Sequence, residues 1–69
     1  MTLLSLLETL NPNAQIKVIS LFFDQEVISG SVIDLDRSRW KYKIGGHHVI
    51  ELHADGPESY TATIDYFML

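Results

Sequence analysis

The segment from Gln15 to Ile33 constrains this chain most, because it is apolar on both faces when read as β-structure. Gln15–Phe23 and Glu26–Ile33 are rich in β-branched and aromatic residues, and Asp24-Gln25 is the expected turn between them. Ile19, Leu21, Phe23, Ile28 and Val32 share one parity of the pleat, and Ile16, Val18, Phe22, Val27 and Ile33 occupy the other. Successive strand residues point to opposite faces, so both faces of such a hairpin need cover. A helix can supply one; barrel closure or a second copy of the chain supplies the other. With 69 residues the chain forms one domain, 1–69. A chain of that length buries only about 60% of the surface it exposes when unfolded. It has no Cys to staple the fold, yet it is 46% hydrophobic, too apolar for a disordered chain. Part of that apolar surface is expected to lie against a partner.

The cover for one face precedes the hairpin. Leu3, Leu4, Leu6, Leu7 and Leu10 fall at helical spacings and predict a helix over about 2–10, with Thr2 as N-cap. Asn11 in a left-handed conformation and Pro12 are expected to end it. Glu8 interrupts the short apolar run and no basic residue opens it, so no signal peptide is expected. No run approaches the roughly 18 apolar residues of a membrane span. A soluble cytoplasmic protein without membrane contact is therefore expected.

Three more strands are expected, at about 39–44, 48–53 and 60–67, besides those at 15–23 and 26–33. Asp34–Arg37 is a polar connection or a single helical turn, and Asp55-Gly56-Pro57-Glu58 is a turn. Gly30 inside a strand marks a bulge, a bend or a close backbone approach. A three-residue loop, Gly45-Gly46-His47, pairs Ile44 with His48, Tyr42 with Ile50 and Trp40 with Leu52, and sets Lys41 opposite Glu51. That register leaves one face mostly apolar and the other charged. The fold expected is α+β, an N-terminal helix packed on five antiparallel strands in a small barrel or strongly bent sheet. Its core should hold Leu3, Leu6, Leu7 and Leu10 with Val18, Trp40, Tyr42, Ile50 and Ile64.

Chemistry-bearing groups are sparse. Arg37, Arg39, Lys41 and Lys43 are four of five basic residues, at odd positions leading into and along the 39–44 run, with Trp40 and Tyr42 between the last three. Cations and rings together suit single-stranded nucleic acid. Strand alternation would put them on opposite faces, however, and the net charge of −4 disfavours phosphate. The strip, partly neutralised by Glu51, fits an ordinary solvated face or an acidic protein partner. Glu51 and His53 share a strand face, but His47 would lie roughly 13 Å from Glu51 at strand rise, so no metal site or other cofactor is expected. The nine carboxylates are scattered and come with no nucleophile elbow or phosphate loop, so the chain is not read as an enzyme. The terminal run Tyr66-Phe67-Met68-Leu69 would be an aggregation-prone edge unless buried, which implies a homodimer or higher oligomer.

Two resemblances bear on these expectations. The helix, the apolar strand and the run Ile28-Ser29-Gly30-Ser31-Val32-Ile33-Asp34-Leu35-Asp36 resemble the first motif of Sm-like RNA-binding proteins, chiefly at Gly30, Leu35 and Asp36. That likeness covers Leu3 to Asp36 and implies a bent five-stranded, SH3- or Sm-like barrel, ring assembly and RNA binding. Asp24-Gln25 stands where that family usually has a Gly-containing turn, and no second motif follows around Tyr42 to His48. In size, acidity and layout the chain is also similar to short proteins of phages and mobile elements. It shares with them a Met-Thr-Leu-Leu helix at Met1–Leu7 and an extended hairpin at Ile16–Val32. That class includes anti-CRISPR and other anti-defence inhibitors. It implies a protein that binds and blocks a host effector inside a bacterial cell. A small phage structural or assembly subunit is a further alternative.

Overall fold

The computed structural model describes residues 1–67; Met68 and Leu69, expected at an oligomer interface, lie outside the described residues. The chain runs α1 (Leu3–Thr9), β1 (Gln15–Ser20), β2 (Gln25–Ser31), α2 (Val32–Arg37), α3 (Trp40–Ile44), β3 (Val49–Gly56) and β4 (Ser59–Ile64). The class is α+β, as expected. The architecture corrects the finer expectation: one open four-stranded sheet in the order β2-β1-β4-β3, not five strands and not a closed barrel. Each hairpin is antiparallel, but the central neighbours β1 and β4 run parallel, from Gln15 opposite Ser59 to Ser20 opposite Ile64. Two hairpins are thus laid side by side, and the α2–α3 segment joins the outer strand of one to the outer strand of the other.

The missing strand is the segment 39–44, which forms α3 instead. In a strand Trp40, Tyr42 and Ile44 would share a face. In a helix positions two apart lie about 200° apart, while positions four apart align. Accordingly Ile44 is buried, Trp40 half-buried, and Tyr42 is 86% exposed. The Ser38 hydroxyl accepts from the Trp40 N–H at 3.2 Å and turns the chain from α2 into α3. The Gly45-Gly46-His47 hairpin loop and its register are therefore absent. The carbonyls of Gly45 and His47 instead accept from the N–H groups of Leu4 and Leu3, both at 2.9 Å. Those donors belong to the first turn of α1, where no intrahelical acceptor exists. The junction after α3 thus completes α1 and fastens the two helices together.

α1 starts as its sequence requires, with the Thr2 hydroxyl accepting from the Ser5 N–H at 3.2 Å. It ends differently. Leu10 leaves in an extended conformation, and no residue near Asn11 adopts a positive φ. The Asn11 side chain accepts from the Asn13 N–H at 2.9 Å and donates to Glu58 at 3.2 Å, tying this corner to the β3–β4 turn. α2 is capped by Ser31, whose hydroxyl accepts from the Asp34 N–H. Strand β2 therefore ends two residues earlier than expected.

All three helices contribute to one apolar layer. The core joins Leu3, Leu6 and Leu7 of α1, Val32 and Leu35 of α2 and Ile44 of α3 to Ile16 and Val18 of β1 and Ala62 and Ile64 of β4, with Leu10 half-buried beside it. The register places Lys17 beside Ser29 and Thr61, and Thr63 beside Glu51, on the opposite face of the sheet. Apart from the half-buried Ile19, which pairs with Thr63, these positions are polar, so solvent can cover them. Two irregularities explain why the first hairpin is apolar at both parities. The β1–β2 register shifts between Val18 and Ile19, which brings Val27 and Ile28 both against the core. Leu21, Phe22 and Phe23 lie outside the strand altogether.

Candidate docking surface

The turn between β1 and β2 spans Leu21 to Asp24, not Asp24-Gln25. It is closed by the Asp24 N–H donating to the Ser20 carbonyl at 2.9 Å, a single helix-like turn. Asp24 ends it with φ of 51°, in the left-handed region that Asp tolerates better than most residues. This geometry turns three consecutive apolar side chains away from the core: Leu21, Phe22 and Phe23 are 48%, 54% and 42% exposed. The C-terminal segment adds a fourth. The Phe67 ring stands edge-on to Phe22 at 5.0 Å and tilted to Phe23 at 5.6 Å, and is itself 63% exposed.

The cluster is anchored. The Leu21 N–H donates to the Ile64 carbonyl at 2.9 Å, and the buried Ser20 hydroxyl donates to the Tyr66 carbonyl at 2.8 Å. Asp65 accepts from the His48 N–H at 3.0 Å and meets His47 Nδ1 at 3.1 Å, while the His47 ring packs edge-on against Tyr66. Tyr66, expected at an oligomer interface, is thus half-buried within the chain, whereas Phe67 belongs to the exposed patch. The first hairpin and the last strand, one or the other of which is expected to mediate association, both contribute to this patch, through Leu21–Phe23 and Phe67. The charged residues that follow the exposed run in sequence, Asp24 and Glu26, are acidic and exposed, and no Lys or Arg occurs from Val18 to Asp36.

The basic strip does not assemble. Arg37 closes α2 and Arg39 lies between the helices. Lys41 pairs with Asp36 at 3.3 Å rather than with Glu51, and the Lys43 ammonium sits 5.4 Å from the Trp40 ring centroid. Glu51 lies on β3, bonded to His53 on the open sheet face. Among the described residues no group of three or more His, Asp or Glu side chains is placed to hold a metal ion. An open groove of about 420 Å³ lies at the far end of the sheet, bordered by Lys17, Ser29, Asp55 and Tyr60. No helix among the described residues is long and apolar enough to cross a membrane.

The sequence carried a signal for this patch: Leu21-Phe22-Phe23 is a run of large apolar residues that breaks the alternation of a strand, as exposed functional runs do. Compared with family models, curated proteins and solved structures, the chain matches none.

Proposed function

We propose that this chain is a non-enzymatic binding protein that acts by occupying a protein partner through the β1–β2 tip. The observation that carries the reading is the contiguous apolar surface of Leu21, Phe22, Phe23 and Phe67. A lone exposed apolar residue is ordinary, but a clustered patch on so small a molecule is characteristic of an interaction site. Aromatic side chains supply much contact area for little conformational entropy, and they dominate binding energy where they fill a partner's pocket. The hydrogen bonds that fix the turn support the reading, because a preorganised surface loses less entropy on binding. An accessory protein of a phage or mobile element that blocks a host effector would work in this way, by covering a surface the effector needs.

The test is affinity capture from a bacterial lysate with the wild-type chain, the Phe22→Ser/Phe23→Ser variant and a Tyr42→Ser control. A protein retained by wild type and control but lost with the tip variant supports the proposal. Equal retention by all three, with circular dichroism unchanged, contradicts it.

A further inference from the structure

Resting on that proposed role of the tip, we infer that its partner is a protein other than this chain, presenting an apolar face edged by Lys and Arg. Charge decides the occupant. Directly after the exposed run Leu21–Phe23 come two exposed carboxylates, Asp24 in the turn and Glu26 at the start of β2, the Glu26 carboxylate accepting from Ser29 at 3.3 Å. Asp65, two residues before Phe67, is already held by His47 and the His48 N–H. No cation is contributed by β1 beyond Lys17, by the turn or by β2. A two-fold dimer through the tip would set the acidic residues of both copies against each other around a desolvated aromatic centre. Like charges brought together at an interface are strongly unfavourable. An apolar face edged by cations meets the same surface with complementary potential, which also speeds encounter. The rings supply affinity, while Asp24 and Glu26 supply orientation and partner choice.

Isotope-labelled full-length protein is titrated, by NMR, with two synthetic amphipathic helical peptides of identical length. One has a Leu face edged by Lys, the other a Leu face edged by Glu. The inference expects the Leu/Lys peptide to shift the amides of Leu21 to Glu26 and of Phe67, and to bind at least about tenfold more tightly than the Leu/Glu peptide. Added salt should weaken it, and Asp24→Asn/Glu26→Gln should remove most of the preference. Equal binding of both peptides at the tip overturns the basic-rim inference and leaves the tip as docking surface. Binding that persists in Phe22→Ser/Phe23→Ser, or that maps elsewhere, overturns both. No binding of either peptide at millimolar concentration overturns the inference. So do concentration-dependent shifts at the tip with a dimeric mass and no peptide, which assign the patch to a second copy.

Discussion

At the scale of single residues, Tyr42 and Ile44 separate the two readings of the 39–44 segment. A strand would place both on one face, whereas the helix buries Ile44 fully and leaves Tyr42 to solvent. Ile44→Ala is expected to cost about 2–5 kcal/mol, and Tyr42→Ala to stay within about 0.5 kcal/mol of wild type. Urea unfolding monitored by circular dichroism measures both. Comparable losses at the two positions would restore the strand. The core members Leu3, Leu6, Leu7, Val18 and Ile64 were legible because helix and strand periodicities alone select them. Ile50 was not, since the β3–β4 register shifts between Val49 and Glu51 and leaves Ile50 facing outward. Nothing in the local pattern marks that irregularity.

At the scale of elements, the decisive interactions are the ones that close helix ends. A Cβ added at Gly45 would collide with the Lys41 carbonyl oxygen and lie 3.5 Å from Leu4, where α1 meets α3, whereas Gly46 has open space around it. Gly45→Ala is therefore expected to cost about 1–3 kcal/mol and Gly46→Ala far less, a contrast that thermal unfolding of the two variants reads directly. Similar melting temperatures would refute the close approach. Gly30, with φ of 154°, holds a backbone conformation that side-chain-bearing residues rarely adopt. The sequence suggested a special backbone there, though the register shift itself falls at Val27. Removing the α2 cap with Ser31→Ala should cost about 0.5–2 kcal/mol, seen as a lower urea midpoint with an unchanged slope; no change would mean that packing alone sets where α2 begins. The segment 39–44 was misread because alternation and Gly45-Gly46 fit a hairpin locally. What selects the helix is distant in sequence: α1 has N–H groups in need of the Gly45 and His47 carbonyls. The parallel pairing of β1 with β4 is hidden for the same reason, as it depends on where α2 and α3 carry the chain.

At the scale of the molecule, the helices bury the central strands β1 and β4, and large apolar side chains are exposed at the tip, at Leu21, Phe22, Phe23 and Phe67, as well as at Met1, Tyr42, Ile50 and Leu52. Sequence reasoning assigned Phe67 to an oligomer interface and the charge strip to a single face; the structure exposes Phe67 beside Phe22 and Phe23, and helix geometry disperses the strip. Two surfaces therefore compete for the partner: the aromatic tip, and the cations of α2–α3. The direct measurement compares retention of the same captured protein by wild type, Phe22→Ser/Phe23→Ser and Arg39→Glu/Lys43→Glu, each shown to be folded by circular dichroism. We expect the tip variant to lose at least about tenfold in affinity, as removal of central aromatic contacts does, and the strip variant to bind within about twofold of wild type. Wild-type binding by the tip variant with loss in the strip variant would contradict the account.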